Sequence, residues 1–276
     1  MSTISRPAGA NTWVEFKTDD WRVRALAPFK RFRGLDIPWD DAELLEDSSE
    51  RVIKCSRSRK VVKLGAGNFG APVEVYVKRY NLKSWLRVLL RSVRRTRARE
   101  EFELGWQLME KGIKTPRPVW LAEAGGRISR FSVLATEALP FVESALERWR
   151  RCEDEAHRRD LLVALGQFIG QLHDIGFYHD DCKASHVLIF PDRPSLAKEF
   201  YIIDLLGSSF PTVLTKLSRA KNLYQIVRSF KPKNEDLGFT DEHRYIFLQA
   251  YGGSPVEAAN WSAWVSRVGK MKGRKV

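Results

Sequence analysis

Apolar and polar residues alternate through Val73-Glu74-Val75-Tyr76-Val77-Lys78-Arg79-Tyr80, the period of a strand with one buried face. Lys60-Val61-Val62-Lys63-Leu64 reads as the strand before it, and the glycine-rich Gly65–Pro72 as the hairpin loop between them. A helical pattern opens at Thr96-Arg97-Ala98-Arg99-Glu100-Glu101-Phe102 and runs toward Met109. From about Arg158 to Ile175 apolar positions recur on one helical face, and a helical run returns over Leu217–Val227. Phe200-Tyr201-Ile202-Ile203, short and wholly apolar, reads as a buried strand. Strands first and helices afterwards predict an α+β chain, and the motif pattern described below implies two lobes, a small antiparallel sheet with one helix and then a mainly helical lobe. Trp13, Trp21, Phe29, Phe32 and Trp39 lie ahead of these elements, in an N-terminal extension expected to pack on the first lobe. The boundaries are 1–45 for the extension, 46–139 and 140–255 for the lobes, and 256–276 for a basic tail.

Polar residues interrupt the pattern at two informative places. His179-Asp180-Asp181-Cys182-Lys183-Ala184-Ser185-His186 follows the helix, and Asp204 ends the buried strand in Ile202-Ile203-Asp204-Leu205-Leu206-Gly207. Protein kinases carry His-x-Asp, an Asn five residues after that Asp, and then Asp-Phe-Gly. Phosphoryl transfer needs one carboxylate to orient the acceptor hydroxyl and take its proton, and another to hold Mg²⁺ against the phosphates. Asp181 fits the first role and Asp204 the second, with Lys183 reaching the transferring phosphate. His186 occupies the Asn position. Imidazole is a poor Mg²⁺ ligand, so His186 either binds a metal that tolerates nitrogen, such as Mn²⁺, or hydrogen-bonds Asp204, Asp181 or a metal-bound water.

The first lobe supplies partners. Lys78 stands where a phosphate-pairing lysine is needed, and Glu101, with Glu100 as the alternative, can hold it there. Gly65-Ala66-Gly67-Asn68-Phe69-Gly70 matches a glycine-rich phosphate loop, but only residues 71–77 separate it from Lys78, too few to finish one strand, turn and run the next. The loop over the nucleotide phosphates is then Cys55–Arg59, with Ser56, Arg57 and Ser58 as candidate contacts. Thr136-Glu137-Ala138-Leu139 reads as the hinge, and Glu137 as a nucleotide contact.

Lys78-Arg79-Tyr80, a Trp-containing basic stretch, Arg-Ala-x-x-Glu-Phe, and Gly112-Ile113-Lys114-Thr115-Pro116-Arg117-Pro118 together resemble the lipopolysaccharide core kinases, the Kdo/WaaP family. The likeness extends to His186, to Leu217–Leu223 and to Asp241–Tyr251, covering roughly residues 50–252. It implies a bilobal protein-kinase-like fold and ATP-dependent, Mg²⁺-assisted phosphorylation of an inner-core heptose or Kdo, at the cytoplasmic face of the bacterial inner membrane. Asp180 in place of the usual Arg, Asn222 in place of a frequent Asp, and Leu206-Gly207 depart from the family pattern.

Charge adds a partner. The net charge of +13 is concentrated in Lys83, Arg87, Arg91, Arg94, Arg95, Arg97 and Arg99, interleaved with Trp85 and leucines, and in the last residues. A basic amphipathic stretch bearing Trp fits an anionic membrane surface. No helix-turn-helix, zinc-finger or RNA-binding signature points to nucleic acid. No apolar run approaches the roughly 18–20 residues that span a bilayer, and the N-terminus lacks the apolar core of a signal peptide. Cys55, Cys152 and Cys182 lack disulfide or metal spacing, which fits a reducing compartment, and a monomer is expected. Only a short stretch separates Asp204 from the helix at Leu217, with no Ala-Pro-Glu, so a peptide would have little platform. A sugar or glycolipid acceptor suits that site better.

Overall fold

A computed structural model describes residues 12–17, 20–39, 51–56, 58–81, 95–124, 131–191, 196–232 and 234–273, with backbone alone at 51–55 and 124. The chain forms two compact units, Met1–Trp106 with Pro116–Leu139, and Gln107–Thr115 with Pro140–Val276.

The first unit is built on seven strands: β1 (Trp13–Lys17), β2 (Trp21–Leu26), β3 (Arg51–Cys55), β4 (Arg59–Leu64), β5 (Val75–Asn81), β6 (Pro118–Ala124) and β7 (Phe131–Glu137). They lie in the order β1-β2-β6-β7-β5-β4-β3, and every neighbouring pair is antiparallel. The alternation read in the sequence faces Val75 and Val77 into a core with Val62, Leu64, Val133, Ala135 and Trp120. Phe29, Phe32 and Trp39 join the same core, and β1 and β2 extend the sheet itself. Helix α1 (Arg97–Glu110) follows β5.

The Gly65–Gly70 segment closes the β4–β5 hairpin. Residues 31–33 cover it: the Arg33 amide donates to the Phe69 carbonyl at 2.8 Å. Gly70 has φ of +78°, and a Cβ there would stand 2.6 Å from the Arg31 carbonyl oxygen. The glycine serves this close approach.

The second unit is mainly helical: α2 (Ala145–Arg151), α3 (Glu155–Asp174), α4 (Lys216–Ser229), α5 (Asp241–Gly252) and α6 (Pro255–Met271). Three short strands, β8 (Glu143–Ser144), β9 (Val187–Ile189) and β10 (Tyr201–Ile202), form a small antiparallel sheet in the order β10-β9-β8. Leu161, Leu165, Phe168, Ile169 and Leu172 make the buried face of α3. Gly166 lets α5 approach closely, since a Cβ would lie 2.4 Å from the Phe247 carbonyl oxygen. Residues 256–276, expected as a basic tail, are helical as far as Met271, with Ala258, Val265 and Val268 buried. The Ser254 hydroxyl caps this helix on the Glu257 amide, with Pro255 at its first position. No described helix is long and apolar enough to cross a membrane.

Candidate active site

The loop after α3 has only a single 3-10 turn, Ala184–His186, so many of its backbone polar groups need outside partners. Polar side chains on α4 supply several of them. The Asn222 side chain takes the His179 amide at 3.2 Å and donates to the His179 carbonyl at 2.6 Å. Gln225 donates to the Asp180 carbonyl at 2.6 Å and accepts from the Cys182 amide at 3.3 Å. Ser229 accepts from the Ala184 amide at 3.0 Å, and Ser208 from the Asp180 amide at 3.1 Å. Asn222, Gln225 and Ser229 are spaced i, i+3, i+7, so one face of α4 splints the loop. Asn222 must donate as well as accept here, which an ionised Asp cannot do. That gives its departure from the family pattern a physical reason.

Asn222 is itself held from behind. Its side-chain oxygen meets His173 Nε2 at 3.2 Å, and His173 Nδ1 meets the Tyr251 hydroxyl at 2.8 Å.

The loop is also tied to the strand end carrying Asp204. The Ile203 amide donates to the His186 carbonyl at 3.0 Å, and His179 Nε2 donates to the Ile203 carbonyl at 3.0 Å. Burial holds the His179 imidazole down to about 4, so the ring is neutral. Asp204 has φ of +58°, a left-handed conformation that costs a non-glycine residue about 1 kcal/mol or more. Gly207 is left-handed at +84°, and a Cβ there would press on the Asp180 carboxylate at 3.0 Å. The fully buried Cys182 thiol is pushed far above its ordinary pKa and stays protonated, in keeping with a packing role.

Asp181, Lys183, His186 and Asp204 therefore converge within the second unit. Lys183 Nζ pairs with Asp181 Oδ2 at 2.7 Å. His186 Nδ1 bonds the Asp181 carbonyl at 2.8 Å, so Nδ1 carries a proton. Nε2 of the same ring stands 3.9 Å from Asp204 Oδ2. Among the described residues no group of three or more His, Cys, Asp or Glu forms a metal cage. A carboxylate oxygen and an imidazole nitrogen 3.9 Å apart still fit a divalent cation whose remaining ligands are phosphate oxygens and water.

The first unit holds the second set. Lys78 Nζ pairs with Glu101, and the Tyr80 hydroxyl donates to the other oxygen of the same carboxylate. Glu101, not Glu100, is thus the partner of Lys78, with only 4% of its surface exposed. The Ser56 hydroxyl closes the β3–β4 turn on Arg59, accepting from its amide at 3.1 Å, and lies 3.4 Å from the Ser58 hydroxyl. Arg57 lies outside the described residues. Glu137 ends β7 and pairs with Arg117 at 3.4 Å. Of the basic stretch, residues 82–94 lie outside the described residues. Arg95 pairs with Glu103 at 2.5 Å, and Arg99 with Glu123.

The sequence reading missed Gln225, Ser229, Ser208 and Tyr80. The first two lie at helical spacing with Asn222 on α4.

Comparisons with known proteins find relatives across most of the chain. The sequence model of the lipopolysaccharide kinase (Kdo/WaaP) family matches residues 39–251. The chain is 27% identical over 256 residues to lipopolysaccharide core heptose(I) kinase WaaP of Pseudomonas aeruginosa, covering 87% of this chain and 91% of the relative. It is 22% identical over 168 residues to 3-deoxy-D-manno-octulosonic acid kinase of Vibrio parahaemolyticus, covering 55% and 69%. A solved structure of WaaP in complex with acyl carrier protein superposes with a TM-score of 0.62 at 25% identity, covering 91% of this chain and 98% of that one.

Proposed function

The chain belongs to the lipopolysaccharide kinase (Kdo/WaaP) family, sugar kinases of protein-kinase-like fold, and from that premise we propose that it transfers the γ-phosphoryl group of ATP to a heptose hydroxyl of the lipopolysaccharide inner core. Heptose is preferred to Kdo because the heptose kinase relative matches nearly the whole chain and the Kdo kinase relative about half of it.

In this reading Asp181 orients the acceptor hydroxyl and takes its proton, and Lys183 meets charge on the transferring phosphoryl group. Asp204, with His186 beside it, would hold Mg²⁺ or Mn²⁺, which when bound supplies charge neutralisation at the phosphates. Lys78, fixed by Glu101, contacts the nucleotide phosphates under the loop of Ser56, Arg57 and Ser58, and Glu137 marks the hinge where the nucleotide base is held. The observation that supports the reading most is the convergence of Asp181, Lys183, His186 and Asp204 on a loop splinted by α4. Transfer of label from radioactive ATP to lipopolysaccharide of defined truncation tests it, with protein and free sugar as controls. Label is expected only in acceptors that retain the inner-core heptose. Label in protein alone would overturn the acceptor class.

The membrane is part of the same proposal. The basic stretch 83–99 and Arg267, Lys270 and Lys272 at the end of α6 suit peripheral docking of a monomer on an anionic cytoplasmic leaflet. Binding to anionic vesicles is expected to be weak and to vanish as salt rises toward 1 M, where the Debye length falls from about 10 Å to about 3 Å. Equal binding to neutral vesicles would remove the electrostatic argument.

A further inference from the structure

We propose that the N-terminal hairpin β1–β2, together with Glu123, clamps α1 so that Glu101 stays on Lys78, which makes Trp13 and Tyr80 positioning residues of the nucleotide site. The proposal rests on reading Lys78 and Glu101 as the phosphate-binding pair. Residues 12–26 precede the segment matched by the family model, which begins at residue 39.

The tethers act along one helix. At its start the Thr96 hydroxyl caps the Arg99 amide at 3.1 Å and donates to Glu123 Oε1 at 2.5 Å. Arg99 reaches the other oxygen of Glu123 through Nε at 2.7 Å and through Nη2. Glu123 sits on β6 with 8% of its surface exposed, so the first turn is pinned to the sheet by a nearly buried carboxylate.

Further along, Trp13 on β1 packs edge-on against Phe102 and Trp106, each at a centroid distance of 5.2 Å. These two residues are i, i+4 on α1 and form one patch. The Arg24 guanidinium lies 5.9 Å from the Trp13 ring and pairs with Glu15 at 2.5 Å, bracing the tryptophan within its own hairpin. Glu101 lies between the two tethers. Its oxygens are taken by Lys78 and the buried Tyr80 hydroxyl. Movement of α1 away from the sheet would break both bonds together, and the tethers at Trp13 and Glu123 oppose that movement. The site is then assembled without an activating signal.

The test compares Trp13→Ala, Trp13→Phe, Lys78→Ala and the Trp13→Ala/Lys78→Ala double variant. MgATP affinity is read by equilibrium binding, and the freedom of residues 97–106 by amide hydrogen exchange. If the clamped state falls to about a tenth of the population, apparent MgATP affinity falls about tenfold. Trp13→Ala should show that loss with faster exchange in 97–106, and Trp13→Phe should restore both. In the Lys78→Ala background, Trp13→Ala should weaken MgATP no further, because the lysine that the clamp serves is gone. Should Trp13→Ala fail to fold, Thr96→Val loosens the other tether and is read the same way. Wild-type exchange and affinity in the released variant would overturn the proposal. So would an equal loss with and without Lys78, which would mark general damage. Unchanged MgATP affinity in Lys78→Ala would overturn the nucleotide reading itself, while exchange in 97–106 still decides the clamp.

Discussion

Asp181→Asn is expected to lower turnover by about 10²- to 10⁴-fold, the range of a lost general base, and to leave MgATP affinity close to that of the native chain. The substitution keeps the size of the side chain. It also spares the fixings of the loop, which run from α4 to the main chain of His179, Asp180, Cys182 and Ala184. His186 likewise holds the Asp181 carbonyl, at 2.8 Å, with the carboxylate farther away at 3.9 Å. What disappears is the proton acceptor beside Lys183. Asp204→Asn should behave differently and lose metal-nucleotide affinity together with turnover, because that carboxylate is proposed to act on the metal-bound phosphates. Single-turnover phosphate transfer and equilibrium nucleotide binding on both variants separate the two roles. Native turnover in Asp181→Asn would refute the assignment, and equal loss of nucleotide binding in both would show that the two carboxylates are not divided as proposed.

The grouping of these candidate residues was legible in the sequence because it is local. His179, Asp181, His186 and Asp204 lie within one loop and one strand end, and the apolar helix before them identifies the loop. The β4–β5 hairpin was legible for a similar reason: the distance from Gly70 to Lys78 leaves room for a turn but not for a further strand. The placement of β1 and β2 was not legible. Trp13 and Trp21 announce burial, but lying beside β6 is a pairing across about a hundred residues that no short-range period encodes. The splint on α4 was hidden in another way. Asn222, Gln225 and Ser229 read as ordinary polar positions of a helix until the loop's amides and carbonyls are laid against them. α6 did carry a local signal in Ser254, Pro255 and Glu257, and the basic residues at its end drew attention from it.

Acidification is expected to destabilise the second unit through His173. Burial holds this imidazole down to about 4, against an ordinary value of 6.5. The ring is 1% exposed, bonded to Asn222 on α4 and to Tyr251 on α5. The other charged or titratable groups facing it add no stabilising negative charge: the Arg219 guanidinium opposes a second positive charge, and burial pushes the Tyr251 hydroxyl up to about 12, so it stays neutral. The sign follows from linkage. Above pH 6.5 neither the folded nor the unfolded imidazole carries the extra proton, and the full stability is present. Below it the unfolded chain binds a proton that the folded chain refuses until about pH 4, so stability falls across that window by about 3 kcal/mol in total. Between pH 8 and pH 5 the loss from this group is about 2 kcal/mol. Urea unfolding at the two pH values measures it, with His173→Gln as the control that removes the titration while keeping a neutral polar side chain. The native chain should lose about 2 kcal/mol more than the variant between pH 8 and pH 5. An equal loss in both would show that the buried His173 is not the group that senses acid.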